Sequence, residues 1–221
     1  MTPEHAERMS VILDGMESRV VPIRYHNERG ECLTGTAFVI ELGGHEYLVT
    51  AHHVVNGITP RGWMELFRED EWSNEVFALV GTGNALEAAP RNVDVAVLRL
   101  GGGLIRPGPI TTSSAGLAAG QDVYTIGFPA SQDSPPALNV EIGTFTGLAG
   151  EGRLLIEGRA DAGMSGGPVV FSEGQSTGEL RIAGILAHIP PSPCSVPLPP
   201  TVAAYDIRYA IELINANPLG Q

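Results

Sequence analysis

The apolar residues of this chain come in short Val-, Ile- and Leu-rich runs, and nearly every run is stopped by glycine, proline or another turn former. Long helical periodicity is scarce. With 28 glycines and 17 prolines in 221 residues, this punctuation suits strands joined by turns and leaves little room for a helical bundle. The expectation is an all-β protein, a barrel or a sandwich. Strands are predicted at 19–25, 35–41, 46–50, 75–80, 94–99, 122–127, 138–148, 154–157, 168–171 and 182–187. Two helices are expected at the ends. Thr2 and Pro3 form a helix-start pair, and Met9, Ile12, Leu13 and Met16 then recur at helical spacing. Near the other end a strand finishing at Tyr205 leads into an amphipathic helix, with Ile207, Ala210, Ile211 and Ile214 on one face.

Composition narrows the function classes. The length suits one domain or two small, tightly joined ones with an ample core. Acidic residues outnumber basic ones 25 to 13, for a formal charge of −12. That disfavours nucleic acid or an anionic membrane as a general partner. No run of about 18 apolar residues predicts a membrane-spanning helix. The segment from Met1 to Arg8 lacks the basic and apolar pattern of a secretory signal, so the expected location is cytoplasmic. Two cysteines, Cys32 and Cys194, are too few for a disulfide framework and read as free thiols of a reducing compartment, unless folding brings them together. His52 and His53 have no third ligand at recognisable spacing, so neither a metal nor an organic cofactor is expected.

Three stretches carry chemistry. In Gly163-Met164-Ser165-Gly166-Gly167-Pro168 a serine sits among glycines that permit unusual backbone angles and the close approach of a substrate carbonyl to the N–H groups of Gly163 and Ser165. A serine hydroxyl becomes a useful nucleophile when an imidazole takes its proton and N–H groups stabilise the resulting oxyanion. An apolar strand followed by a small-residue step ends at His52-His53, which supplies the imidazole. Asp94 opens an otherwise apolar alternating stretch. A carboxylate there is costly without a partner, and an imidazole N–H is a suitable one. Asp122 and Asp161 compete for that role but lack the apolar setting.

The order His, Asp, Ser, together with Thr50-Ala51-His52-His53-Val54-Val55, Asp94-Val95-Ala96-Val97-Leu98 and the serine stretch, resembles the trypsin-like (chymotrypsin-fold) serine peptidases. The similarity is greatest to the bacterial branch that includes the high-temperature-requirement proteases, and it covers roughly residues 19 to 215. It implies two packed six-stranded antiparallel β-barrels with short N- and C-terminal helices. The implied division is a helical segment at 1–18, a barrel with His and Asp at 19–110, a barrel with Ser at 111–204 and a helix at 205–221. It further implies a serine endopeptidase acting on polypeptides through an acyl-enzyme. Ser165 would be the nucleophile, His53 the base and Asp94 its orienting acid, with the N–H groups of Gly163 and Ser165 as oxyanion hole. By the same resemblance the specificity pocket lies near Arg159, Ala187 and His188, and a buried Arg159 would favour an acidic substrate side chain.

The chain departs from the family in several places. Positions 34 and 54, where secreted members carry a disulfide beside the histidine, hold Thr34 and Val54. No linker to a PDZ domain is visible. Met164 stands where secreted zymogens carry an aspartate for a newly cut N-terminus, so that activation route is not expected. A proline-rich stretch at 189–200 follows the strand expected to pair with substrate. These departures keep open a second class of function: a silent or latent trypsin-fold module that binds protein without turnover.

Overall fold

The computed structural model describes residues 3–86, 93–101, 108–130, 136–173, 179–187 and 200–220. Helix α1 (Pro3–Met16) is followed by β1 (Val20–His26), β2 (Cys32–Leu42), β3 (His45–Thr50), β4 (Arg61–Arg68), β5 (Glu71–Thr82) and β6 (Ala96–Leu100). These six strands close into a barrel in the order β1-β2-β3-β6-β5-β4. The ring is sealed where Ile23 and Arg24 of β1 pair with Leu66 and Glu65 of β4. A two-residue strand β7 (Thr111–Thr112) precedes β8 (Asp122–Gly127), β9 (Asn139–Ala149), β10 (Arg153–Glu157), β11 (Pro168–Ser172), β12 (Leu180–Ala187), β13 (Thr201–Asp206) and α2 (Arg208–Ala216). Here the order β11-β8-β9-β10-β13-β12 closes because β12 also pairs with β11, giving a second six-stranded antiparallel barrel. Short β7 lies parallel along β12, outside that ring. The all-β, two-barrel expectation is met.

Alternation along the strands explains the architecture. In β2, Ala37 and Val39 fill the first barrel, while Phe38 and Ile40 point outward into a separate core. In β8 and β11, Val123, Val169 and Phe171 fill the second barrel, while Tyr124, Ile126 and Val170 join the same outer core. The barrels therefore share a third apolar layer between them. Strands buried on both faces read as continuous apolar runs, which is why these were legible. Each fully buried Leu, Ile, Phe or Met contributes about 1.5–3 kcal/mol, so the joint is a large part of what stabilises the fold.

The helices tie the barrels together crosswise. Ile12 and Met16 of α1 are buried in the shared core, and Gly15 packs so closely that a side chain there would lie 2.9 Å from Leu180 of β12. From the other end, Leu213 of α2 covers Gly81 of β5, the Tyr47 hydroxyl donates to Pro218 O at 2.9 Å, and Asn217 Nδ2 donates to Val80 O at 3.2 Å. The expected faces of both helices are the buried ones, although Thr2 lies outside the described residues.

Four strand expectations need correction. Strand β4 was not anticipated, because its outward positions mix Trp63, Glu65 and Phe67 around the inward Met64 and Leu66 and so blur the alternation. Strand β5 starts at Glu71 because Glu69 and Asp70, both at positive φ (52° and 64°), make a tight two-residue hairpin turn that their sequence does not advertise. Strand β13 begins at Thr201 and is more than a strand end at Tyr205. Strand β6 begins at Ala96, so Asp94 lies in the bend before it, where Val95 N–H donates back to Val93 O.

Candidate active site

Strand β3 ends against Ala51, and the chain then makes a single 3₁₀ turn, His52–Val55. Val54 and Val55 bury into the first barrel, which leaves His53 at the surface with 43 % of its side chain exposed. The bend before β6 delivers Asp94 to it. Oδ1 accepts the backbone N–H of His53 at 2.8 Å, and Oδ2 lies 2.6 Å from His53 Nδ1. An ionised carboxylate only accepts, so the short bond keeps the proton on Nδ1 and leaves Nε2 as an acceptor. Burial alone would raise the Asp94 carboxyl. The hydrogen bonds and charge of His53 outweigh it and hold the group below its ordinary value of 3.8. Burial, with a smaller push from His53, lowers the neighbouring His52 imidazole, and Asp94 opposes this only in part.

The serine turn comes from the second barrel and rests on the first. Ser165 O accepts the Thr36 N–H of β2 at 2.9 Å. Gly166, at φ +88°, sits so close to β2 and to the end of β3 that a Cβ would lie 2.2 Å from Thr36 O and from Thr50 Oγ1. The serine is thereby held beside the strand end that delivers His52 and His53. The same turn joins β12, with Gly166 N–H donating to Leu186 O and Leu186 N–H to Gly167 O, each at 2.8 Å.

Peptide planarity sets the direction of the two key N–H groups. In a trans peptide C=O and N–H point opposite ways. The carbonyl bonded to Gly163 N, that of Ala162, accepts Ala130 N–H at 2.6 Å, and the one bonded to Ser165 N, that of Met164, accepts Gly167 N–H at 3.0 Å. Both N–H groups are therefore turned away from those anchors. Among the described residues no hydrogen bond takes up either of them. A pair of fixed, uncommitted donors beside a serine is a ready site for developing negative charge. Met164 is fully buried, and its sulfur accepts Asp161 N–H at 3.5 Å.

Of the competing carboxylates, Asp122 opens β8, and the backbone of Asp161 belongs to the serine turn; neither is bonded to His53. Arg159 follows β10 and is exposed. Ala187 ends β12, next to the strand residue that binds the serine turn. His188 and Cys194 lie outside the described residues, and Cys32 is a free, exposed thiol. Among the described residues no three His, Cys, Asp or Glu side chains gather as a metal site, and no helix is long and apolar enough to cross a membrane.

Sequence reasoning overlooked Thr36 as part of this site. Its signal was a hydroxyl inside the otherwise apolar run from Gly35 to Ile40, fully buried in the fold.

A family model described as the trypsin-like peptidase domain matches residues 35–178, well over half of the chain. The chain belongs to this family. It is a trypsin-like serine endopeptidase by that membership, with the barrels of the chymotrypsin fold. Among similar solved structures is the active form of the Rv3671c protease from M. tuberculosis, with 19 % identity, TM-score 0.67, and coverage of 100 % of this chain and 90 % of that one. The serine endoprotease from Yersinia pestis matches with 18 % identity and TM-score 0.65, over 92 % of this chain and 64 % of that chain. The HtrA-type protease AlgW with a tripeptide matches with 20 % identity and TM-score 0.66, over 94 % of this chain and 62 % of its own length. No curated protein matches the sequence.

Proposed function

We propose that this trypsin-like peptidase cleaves polypeptides through an acyl-enzyme on Ser165, with His53 and Asp94 completing the catalytic unit. Ser165 Oγ attacks the scissile carbonyl carbon as His53 Nε2 takes its proton. The carbonyl oxygen becomes an oxyanion that accepts the N–H groups of Gly163 and Ser165. His53 then gives its proton to the leaving amine, the C–N bond breaks, and the acyl group stays on Oγ. Water attacks that ester with His53 again as base, and collapse releases the acid and returns the proton to Oγ. Asp94 holds Nδ1–H throughout and stabilises the imidazolium.

The observation that carries this reading is the two-point grip of Asp94 on His53, through the backbone N–H at 2.8 Å and Nδ1 at 2.6 Å. A cap or a chance surface pair has no reason to fix both the position and the tautomer of one exposed imidazole. The test is a fluorophosphonate probe with casein hydrolysis alongside. Wild type is expected to label on Ser165 and to digest casein. Ser165→Ala should do neither, and adding His53→Ala to it should cost little more, because members of one catalytic unit are non-additive. Labelling that survives Ser165→Ala, or a wild type that neither labels nor digests, would favour the silent binding module.

A further inference from the structure

The turn that carries Gly163 and Ser165 belongs to the second barrel, but a hydroxyl of the first barrel holds it. Thr36 of β2 is fully buried. Phe128 N–H donates to its Oγ1 at 2.9 Å, and Oγ1 donates its own proton to Gly163 O at 2.9 Å. The polarity of this relay is forced, since the amide can only donate and the carbonyl can only accept. The backbone of the same residue is also committed: its N–H donates to Ser165 O at 2.9 Å, and its carbonyl accepts Thr50 Oγ1 at 2.7 Å. Space is equally restricted. A Cβ on Gly127 would stand 2.9 Å from both Thr36 Oγ1 and Met164 Cα.

The Gly163–Met164 peptide lies between the two peptides whose N–H groups, those of Gly163 and Ser165, are uncommitted among the described residues. Gly163 has φ +93°, in the left-handed region where glycine moves freely. The N–H of this peptide, that of Met164, donates to Asp161 O at 3.1 Å, which ties one edge of it. Without the second anchor on its carbonyl, the plane can still tilt about that bond and carry the Gly163 and Ser165 N–H groups off target. The Thr36 hydroxyl is the side-chain anchor on that carbonyl.

We propose that Thr36 is a positioning residue for the oxyanion hole, its hydroxyl locking the Gly163–Met164 peptide so that both N–H donors stay aimed at the reacting oxygen. The proposal rests on the acyl-enzyme reading above. Thr36 touches no substrate; it acts through Gly163. It also makes the donor geometry depend on contact between the barrels, because the bond crosses from one to the other.

The decisive comparison is Thr36→Val, which removes the hydroxyl and keeps the shape, against Thr36→Ser, which keeps the hydroxyl. Both are measured on the full chain with a p-nitrophenyl ester for kcat and KM and with a fluorophosphonate for the rate of serine modification. Thr36→Val is expected to lower kcat by roughly 10²-fold, leave KM within about threefold, and slow labelling in the same proportion. Thr36→Ser should return both rates to within about threefold of wild type. Thr36→Ala must repeat the kcat loss, which guards against a folding defect peculiar to valine. The proposal is overturned if Thr36→Val keeps wild-type kcat, if its loss is in KM alone, or if Thr36→Ser is as impaired as Thr36→Val. A Ser165→Ala variant that still labels removes the parent reading and this one with it. A dead Ser165→Ala beside a fully active Thr36→Val removes only the role of Thr36.

Discussion

His53 and Asp94 stand at the rim of the first barrel with 43 % and 22 % of their side chains exposed, joined by two bonds that both involve an ionised carboxylate. The serine turn is wedged between barrels, with Met164, Gly166 and Gly167 buried and its geometry fixed by backbone bonds to Thr36, Ala130 and Leu186. One half of the site is held by charge and responds to protons. The other half is held by steric fit and uncharged hydrogen bonds and does not. Damage to the two halves should therefore look different. Steric overfilling of the turn should cost the fold along with the activity, and loss of the rim pair should cost activity while the fold persists.

The largest expected effect is on the turn. A Cβ at Gly167 would lie 1.9 Å from Ile126 O, a backbone atom of the second barrel that cannot step aside. Gly167→Ala should cost about 4 kcal/mol or more, in the range of the most disruptive single substitutions, and activity should vanish with the native signal in a thermal melt. A stable, inactive Gly167→Ala would break the comparison.

Asp94→Asn comes next and should behave in the opposite way. Asparagine keeps the shape but loses the acceptor that holds the proton on Nδ1, so kcat should fall by roughly 10⁴-fold while Tm shifts by only a few degrees. A loss of folding as severe as that of Gly167→Ala would show that the rim pair is structural.

The smallest effect concerns acid. For Asp94, the folded value is lowered, so the stability supplied by its ionised form is complete above the ordinary 3.8 and is lost as pH falls through the lowered value. His52 is also lowered, so the fold favours its neutral form; that contribution is complete above 6.5 and is lost between 6.5 and its lowered folded value. Tm measured against pH should decline in two stages on acidification. His52→Asn should flatten the upper stage and leave activity at neutral pH within about threefold, and an unchanged acid profile would show that His52 does not contribute.

Much of this was readable in advance, and the exceptions are physical. The doubly buried strands β2, β3, β8 and β11 announce themselves as apolar runs, and the serine turn announces itself through glycines whose Cβ atoms have no space. Strand β4 was hidden because its outward face carries aromatic and charged residues together. In the sequence Asp94 has the look of a strand start because the apolar pattern runs straight through it, whereas its two bonds to His53 hold it in the bend before pairing begins. Thr36 was invisible as an anchor, since sequence shows a threonine in a strand but not the carbonyl 127 residues away that it holds.

That separation bears on the order in which the molecule assembles. The bond from Thr36 to Gly163 spans 127 residues, and the one from Tyr47 to Pro218 spans 171. Contacts so remote return nothing until a long loop has closed, which places them late in folding. A copy with only its first barrel formed holds His53 and Asp94 without Ser165, and a copy with only its second holds Ser165 without the histidine. On the catalytic unit proposed above, peptidase chemistry is a property of the finished molecule alone, and half-folded siblings, exposed and easily cut, have no working blade to turn on one another.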